Sequence, residues 1–371
     1  MPAHLRIENL TKRFGSLVAV DDVSFEVEKG EFASIVGPSG SGKTTILRTI
    51  AGFVEPTDGD VTIDNRSVIN RPPFERDVNM VFQNLALFPH LTVGQNIKYG
   101  LKNGSESYTK AEIKERVEGM LEMVDLTGYG DRGIDELSGG EQQRVALARA
   151  VVKQPKVLLF DEPLASLDRK LRQDMKIELQ RIQSETGITF LYVTHDQEVA
   201  LSVSDQMIVL NEGEIAQKGA PEEIYDHPDS PFVADFVGDS NIVAATIDEI
   251  GAEYVIVTVG DRQATIPLNE QTSQELIGTH SVKNDVEVGF RPHHARLGTA
   301  GSTGGISLAG TVSGKTYAGD SYRYHVDLGG YTVTVSETDG THAIGDEVNV
   351  TCPSDAVHVF GSPKRRDSVK L

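Results

Sequence analysis

Hydrophobic positions along the first part of the chain follow two alternating patterns. Short runs rich in β-branched and aromatic residues, such as residues 32–36 and 157–160, are typical of buried strands. Longer stretches, such as residues 109–125, carry apolar residues at helical spacing among charges. The alternation continues to about residue 236 and predicts an α/β domain with a largely buried sheet and a helical insertion.

The pattern changes after residue 236. Runs that alternate apolar and polar side chains, such as residues 254–259 and 331–335, are separated there by glycines. Alternation with a period of two is typical of strands that have one buried face. The sequence therefore predicts a separate, β-rich domain over residues 237–371.

Composition limits the classes of function. The chain has 371 residues, 39% of them hydrophobic, which is enough for two or three domains with real cores. Its net charge of −20 argues against a nucleic-acid partner and suits a solvated surface or, alternatively, a salt-adapted one. No apolar run approaches the roughly 18 to 20 residues that span a bilayer, and the single cysteine, Cys352, cannot form an intrachain disulfide. We expect a soluble protein of a reducing compartment.

Residues 37–45, GPSGSGKTT, form the first motif that carries chemistry. They match G-x-x-x-x-G-K-[ST] between a predicted strand and a predicted helix, where backbone N–H groups can surround phosphate oxygens. Lys43 would reach the outer phosphates, and the hydroxyl of Thr44 can bind Mg²⁺. The motif predicts a site for ATP or a related nucleotide.

Two adjacent carboxylates follow a second buried run. In residues 157–162, VLLFDE, Asp161 and Glu162 stand at the carboxyl end of a predicted strand, beside the phosphate-binding loop. Asp161 would hold Mg²⁺, usually through water, and Glu162 would polarise the attacking water as general base. The alternative is a pair of acidic residues at a strand end without chemistry.

Residues 137–144, LSGGEQQR, discriminate among the classes of nucleotide hydrolase. Ser138, Gly139 and Gly140 would open a helix and direct its N–H groups at an anion. With this motif between the phosphate loop and the acids, the chain resembles the ATP-binding subunit of an ABC transporter over residues 1–236. The resemblance implies an α/β P-loop ATPase domain, with a helical subdomain at about residues 88–155.

The same resemblance assigns roles to four further residues. Phe14 would stack on adenine, although a core position is the alternative, and Gln83 would reach Mg²⁺ and the attacking water. Asp168 would contact the opposite subunit, and it can also cap the helix that follows it. His195 would contact the γ-phosphate and link to the catalytic Glu162.

The resemblance also implies a homodimer, because the signature motif of one subunit covers the ATP bound to the other. The expected cofactors are ATP and Mg²⁺. The predicted site residues are the catalytic Glu162, His195 and Gln83; the ATP-binding Phe14, Gly37, Pro38, Ser39, Gly40, Ser41, Gly42, Lys43, Thr44 and Thr45; the signature residues Ser138, Gly139, Gly140 and Gln142, acting in trans; the dimer contact Asp168; and the Mg²⁺ ligands Thr44, Gln83 and Asp161.

Further partners are implied by the segment after Gln83. Residues 84–91, NLALFPHL, match the place where the family's importers dock a short helix of a membrane subunit. The alternative is that Leu85, Leu87 and Phe88 belong to a local core. The resemblance implies two transmembrane permease subunits, an extracytoplasmic solute-binding protein and a peripheral location on the cytoplasmic face of the membrane.

The region after residue 236 resembles a domain of particular importers. Residues 231–238 and 288–292 are similar to the C-terminal, OB-like (TOBE) domain of importer ATPases for sugars, polyamines, iron(III), sulfate or molybdate. Within this group, residues 86–90 favour a polyamine, iron(III) or a related anion over a sugar. The resemblance implies an all-β OB-like domain over residues 237–371 and an ATPase subunit that drives solute uptake.

Two other functions remain open from the sequence. A non-transport ABC ATPase of translation or DNA maintenance would carry two fused ATPase domains or a long coiled-coil insertion, and neither pattern is visible. The second is an ATP-dependent regulatory protein whose β domain sequesters a partner. That regulatory role could coexist with transport.

Overall fold

The structure is a computed structural model with two compact units, Met1–Ile224 and Tyr225–Leu371. The division lies before the change in sequence pattern at residue 236. The residues that the structure describes are 3–102, 108–165, 167–260, 262–268, 284–298 and 305–361.

The first unit alternates strands and helices along the chain. Its strands are β1 (Ala3–Phe14), β2 (Leu17–Glu28), β3 (Phe32–Val36), β4 (Asp58–Ile63), β5 (Arg66–Ser67), β6 (Val78–Val81), β7 (Val157–Asp161), β8 (Thr189–Thr194), β9 (Gln206–Asn211) and β10 (Glu214–Gly219). Its helices are α1 (Lys43–Ala51), α2 (Val93–Lys102), α3 (Lys110–Met123), α4 (Gly139–Val151), α5 (Arg169–Thr186), α6 (Gln197–Val203) and α7 (Pro221–Asp226).

The larger sheet of this unit has the strand order β10-β9-β3-β8-β7-β6. Its neighbours are parallel from β9 to β6, and β10 is antiparallel to β9. Strands β3 and β8 are buried at every residue, which explains their continuous runs of β-branched and aromatic side chains. This arrangement confirms the predicted α/β class.

A second sheet is antiparallel, in the order β2-β1-β4-β5. Along β2 the buried Val23, Phe25 and Val27 alternate with more exposed residues, so one face of the strand is apolar. These side chains share an apolar cluster with Ile35 of β3 and Leu191 of β8. The two sheets of the first unit are thus joined by one core.

Helices α2, α3 and α4 form the helical insertion that the sequence predicts. Helix α3 starts at a capping box, in which the Thr109 hydroxyl accepts from the Glu112 N–H and the Glu112 carboxylate accepts from the Thr109 N–H. Buried residues of the three helices, including Ile97, Leu121 and Val145, belong to one apolar cluster. The same cluster includes Phe160 of β7 and Phe190 of β8, so the insertion packs against the large sheet through a shared core.

The second unit consists mainly of strands. Its elements after α7 are α8 (Pro231–Val237), β11 (Asn241–Ile250), β12 (Tyr254–Val259), β13 (Arg262–Pro267), β14 (Asp285–Phe290), β15 (Arg296–Gly298), β16 (Ile306–Tyr317), β17 (Tyr322–Asp327), β18 (Thr332–Glu337), β19 (Glu347–Cys352) and β20 (Val357–Gly361). The described strands form two antiparallel sheets, β13-β12-β11-β14-β20 and β15-β19-β16-β17-β18. Residues of both sheets share one apolar cluster, and the β-rich prediction is confirmed.

Arg291 connects the start of the second unit to its sheets. Its side chain is buried and donates hydrogen bonds to the carbonyl groups of Tyr225, Ala234, Gly238 and Asp239. The guanidinium also lies 4.1 Å from the centre of the Tyr225 ring. A buried cation with this many acceptors fastens residues 225–239 to the strand that ends at Phe290.

Across the described ranges of the chain, the structure has no helix with the length and apolar character needed to cross a membrane.

Candidate active site

The strand order brings the predicted motifs together at the carboxyl ends of the parallel strands. Val36 at the end of β3 pairs with Thr194 of β8, and Val193 of β8 pairs with Asp161 of β7. Strand β7 in turn lies beside β6. The phosphate loop, His195, the two acids and Gln83 therefore follow the carboxyl ends of four consecutive parallel strands, where α/β sheets bind ligands.

The phosphate loop joins the buried strand β3 to helix α1. Gly40 and Gly42 have φ angles of 83° and 100°, a left-handed conformation that glycine adopts without strain. A Cβ atom at Gly42 would lie 2.5 Å from the Ala19 carbonyl oxygen. The motif thus needs glycine for its backbone conformation and for the close approach of strand β2.

Lys43 is held inside this loop. Its side chain is buried, and Nζ donates to the carbonyl oxygens of Gly37 and Pro38, each at 2.8 Å. Burial lowers the pKa of Lys43 from its ordinary value, while the carboxylates of Glu162 and Asp161 act in the opposite direction. The ammonium therefore has acceptors from the loop itself and carboxylates nearby.

The loop is suited to a phosphate group. Among the described residues, the buried Oγ of Ser41 has no hydrogen-bond partner, although a buried hydroxyl normally has one. The helix that starts at Lys43 directs its N–H groups and its positive dipole end at the same loop. An anion bound there would meet an unpartnered donor, the helix start and the Lys43 ammonium.

Thr44 and Asp161 provide a pair of oxygen donors beside the loop. The Thr44 hydroxyl donates to a carboxylate oxygen of Asp161 at 3.4 Å. Burial raises the pKa of Asp161 above its ordinary value, the positive charge of Arg48 opposes this, and the carboxylate of Glu162 adds to it. A hydroxyl and a carboxylate are ligands that Mg²⁺ prefers, so these residues fit that ion.

Glu162 and His195 form a hydrogen-bonded pair. Glu162 has a φ of 47°, an uncommon conformation for a residue with a side chain, and its N–H donates to the Val193 carbonyl oxygen at 3.0 Å. A carboxylate oxygen of Glu162 lies 2.9 Å from Nδ1 of His195. The Glu162 side chain is 21% exposed and the His195 side chain 59%, so a ligand can reach the pair.

The signature residues lie at the exposed start of helix α4. Ser138 caps the helix through a capping box with Glu141, and both Ser138 and Gly139 are exposed. Gln142 lies one turn further and donates from its amide to the carbonyl groups of Ile134 and Leu137. Ser138 and Gly139 therefore face outward, whereas the Gln142 amide donates its hydrogen bonds to the loop that precedes the helix.

Phe14 and Asp168 are both exposed. Their surroundings decide whether Phe14 is a core residue and whether Asp168 caps a helix, the two alternatives that the sequence left open. Phe14 ends strand β1 and is 49% exposed, which excludes a core position, and Lys12 Nζ lies 4.9 Å from its ring centre. Asp168 caps helix α5 by accepting from the Leu171 N–H at 2.9 Å. The capping role of Asp168 is thus observed, and its exposure leaves it accessible to a partner as well.

Gln83 and the segment after it follow β6, the outermost strand of the large sheet. Gln83 is exposed and follows strand β6. Leu85, Leu87 and Phe88 are half-buried, and the Phe88 ring lies 4.5 Å from the Tyr99 ring. Leu87 packs against the apolar cluster of the helical insertion. These side chains therefore have local packing partners and still present a partly exposed surface.

Two long polar side chains near the site were not found by sequence reasoning. The buried Gln143 of α4 donates to the Pro163 carbonyl oxygen at 3.0 Å, directly after the acids. Arg172 of α5 donates to the Leu167 carbonyl oxygen at 3.1 Å and to the Asp196 carboxylate at 3.0 Å. Gln143 thus connects α4 to the segment after the acids, and Arg172 connects α5 to the segment after strand β8. The one signal in the sequence was Gln143, a polar residue on the otherwise apolar buried face of α4.

Family comparisons agree with this arrangement. A model described as "ABC transporter" matches residues 20–165, which include the phosphate loop, the signature and the acids. A model described as "TOBE domain" matches residues 288–360 in the second unit.

Individual relatives extend the similarity along most of the chain. The Spermidine/putrescine import ATP-binding protein PotA of Rubrobacter xylanophilus is 45% identical over 87% of this chain and 83% of its own length. The Fe(3+) ions import ATP-binding protein FbpC of Photorhabdus laumondii is 42% identical over 96% of this chain and 95% of its own length. A dimeric ATP-binding cassette, solved in a post-hydrolysis state with ADP and Pi, superposes with a TM-score of 0.52 at 32% identity, covering 58% of this chain and 98% of that one.

Proposed function

The chain belongs to the family of ATP-hydrolysing subunits of ABC importers, and from this premise we propose that it drives the uptake of a polyamine. The observation that carries the proposal is the convergence of the phosphate loop, the acids, Gln83 and His195 at one edge of the sheet. Similarity to importer subunits over most of the chain supports the coupling to transport.

The phosphates of ATP would bind to residues 37–45. The unpartnered Ser41 hydroxyl and the N–H groups at the start of α1 are available to phosphate oxygens. Lys43 would exchange the carbonyl groups of Gly37 and Pro38 for the outer phosphates, which are stronger acceptors. The half-exposed ring of Phe14 would stack on the adenine.

Thr44 and Asp161 would hold Mg²⁺, with Gln83 as a further ligand from the neighbouring strand end. When bound, Mg²⁺ offsets the negative charge of the phosphates. Asp161 would need its carboxylate ionised, and both the ion and Arg48 favour that form.

Glu162 would act as the general base for the attacking water. Its carboxylate is accessible at the strand end, and its left-handed backbone directs it toward His195. His195 would contact the γ-phosphate and keep the Glu162 carboxylate in place through the hydrogen bond from Nδ1.

A second copy of the chain would complete each site. Ser138 and Gly139 are exposed and carry a helix start that suits the γ-phosphate bound to the opposite subunit. Asp168 is exposed at the start of α5 and would contact that subunit. ATP would then favour the closed dimer, because it meets both subunits in that state alone.

Two membrane permease subunits would receive this motion through residues 84–91, and the chain would then lie on the cytoplasmic face of the membrane. An extracytoplasmic binding protein would deliver the solute. The net charge of −20 supports a set of partners without nucleic acid. The names of the relatives support a polyamine first and iron(III) second, and the solute would contact the partners rather than this chain.

Uptake in the native host tests the proposal. We expect cells that carry Glu162→Gln in place of the wild-type chain to lose the uptake of labelled spermidine or putrescine. Glu122→Gln, an exposed glutamate on α3, is the matched control and should leave uptake unchanged. Loss of ⁵⁵Fe uptake instead would assign iron(III), and normal uptake of both solutes would refute the proposed transport.

A further inference from the structure

The backbone directly after Gln83 is strained. Leu85 and Ala86 have φ angles of 59° and 47°, so two successive residues with side chains adopt the left-handed conformation. A residue with a side chain is strained in this conformation, because its Cβ atom crowds the following carbonyl oxygen. Short turn bonds, from the Leu85 N–H to the Phe82 carbonyl and from the Ala86 N–H to the Asn84 carbonyl, accompany this conformation. Such a turn persists when other groups hold it.

Arg149 holds both strained residues. One guanidinium nitrogen donates to the Ala86 carbonyl oxygen at 2.7 Å and the other to the Leu85 carbonyl oxygen at 2.6 Å. The same guanidinium lies 5.6 Å from the centre of the Phe88 ring. Two short bonds from one planar cation fix the relative orientation of the two carbonyl groups. The charge persists there, although burial lowers the pKa of Arg149 from its ordinary value.

Asn96 of α2 fastens the other end of the same segment. Its fully buried amide accepts from the Phe88 N–H and donates to the carbonyl groups of Phe88 and Leu91. Residues 85–91 are therefore bound at both ends by side chains of the helical insertion. Gln83 stands between this anchored segment and strand β6, which belongs to the large sheet.

Helix α4 carries the signature residues at its start and Arg149 in its last turn. Because a helix of this length is rigid, a displacement at Ser138 moves Arg149 with it. We propose that Arg149 is a positioning residue for Gln83: it holds the turn at Leu85 and Ala86 and transmits the position of the signature helix to that turn. The inference rests on the proposed function, in which the partner's ATP engages Ser138 and Gln83 faces the nucleotide.

Hydrogen–deuterium exchange without nucleotide tests the structural part. In Arg149→Gln, we expect the amides of residues 82–88 to exchange about tenfold faster or more, since two charge-assisted hydrogen bonds to the turn are lost. Arg181→Gln is the matched control, because Arg181 donates to the Met123 carbonyl and so also ties the insertion to α5. Unchanged exchange at residues 82–88 in Arg149→Gln, or equal acceleration there in Arg181→Gln, would overturn the inference.

Steady-state kinetics separate positioning from general destabilisation. Arg149→Gln should lower kcat about tenfold with nearly unchanged ATP affinity, because Gln83 is misplaced while the phosphate loop is intact. Adding Ala86→Gly should recover about fivefold of that loss, because glycine removes roughly 1 kcal/mol of left-handed strain. Arg149→Lys, which keeps the charge without the paired geometry, should fall between the wild type and Arg149→Gln.

A loss in Arg149→Gln that Ala86→Gly does not relieve would contradict the positioning role. If Arg149→Gln does not fold, the same comparison is made with Arg149→Lys. Failure of the proposed function is distinguishable, because the wild-type chain would then lack ATPase activity while the exchange measurement still reports on Arg149.

Discussion

The hydrogen bond between Glu162 and His195 makes the strongest quantitative prediction. A general base contributes about 10²–10⁴-fold to a rate, so Glu162→Gln should lower kcat for ATP hydrolysis by roughly a hundredfold or more, equivalent to ~2.7 kcal/mol. Glutamine has the same shape but cannot take the proton from water. Nucleotide binding should persist, and the variant should accumulate as an ATP-bound dimer.

A double-mutant cycle tests whether the pair acts as one unit. The 2.9 Å contact means that His195→Ala removes the group that orients the Glu162 carboxylate. Independent residues would give a combined loss equal to the product of the single losses, about 10⁴-fold if each loses a hundredfold. We expect the double variant to be only slightly slower than Glu162→Gln, a coupling of about 2 kcal/mol or more.

The assay is steady-state phosphate release at saturating ATP and Mg²⁺, with Glu122→Gln as the matched control. Thermal unfolding of each variant establishes that all are folded. Equal activity of the wild type and Glu162→Gln would refute the assignment of the general base. Fully multiplicative losses would refute the pairing with His195 while leaving the base itself in place.

Three further predictions follow from individual contacts. Lys43→Ala should weaken ATP binding about tenfold to a hundredfold, because a charge-assisted phosphate contact is worth about 1.5–3 kcal/mol; unchanged binding of a fluorescent ATP analogue would contradict this. Phe14→Ala should lower ATP affinity about tenfold, as expected for a base stacked on an aromatic ring, whereas Phe14→Tyr should not; equal affinities would exclude stacking. Burial, with His227 and Arg291 adding to it, lowers the pKa of His358 from 6.5 to about 4. The unfolded chain therefore takes up this proton first, so the free energy of unfolding is highest above pH 6.5 and falls by up to about 3 kcal/mol as the pH falls toward 4. His358→Gln should flatten that pH dependence in thermal unfolding, and an identical slope in both proteins would contradict the shift.

Much of the fold and of the site's location was predictable because strand ends and motifs coincide in the sequence. The buried runs that end at Val36, Phe160 and Val193 become neighbouring parallel strands, and their carboxyl ends must then meet. The capping boxes at Thr109 and Ser138 likewise follow from residue types at fixed spacing.

Contacts between long side chains and distant carbonyl groups were not predictable. Arg149 and Gln143 each bind a carbonyl group of a loop that is far away in the sequence, and Arg172 binds the distant Asp196 carboxylate. Neither spacing nor periodicity indicates which acceptor a flexible side chain reaches. The left-handed backbone of Glu162 was not predictable either, because it depends on a hydrogen bond to the Val193 carbonyl group of a neighbouring strand.

The start of the second unit was also hidden from the sequence. Residues 225–236 continue the sequence pattern of the first unit, yet most of their packing is within the second unit. The reason is Arg291, whose two terminal guanidinium nitrogens bind carbonyl groups of residues 225–239 across a large separation in sequence.

The central claim, an ATPase subunit of an importer, is tested most directly by what the ATP-bound chain binds. Tagged Glu162→Gln protein would be purified with ATP from membranes of the native host, and the proteins that accompany it identified by mass spectrometry. We expect two transmembrane permease subunits, encoded with a solute-binding protein for a polyamine. Recovery of ribosomal, DNA-bound or purely regulatory partners, without membrane subunits, would leave the ATPase chemistry intact and contradict the importer function.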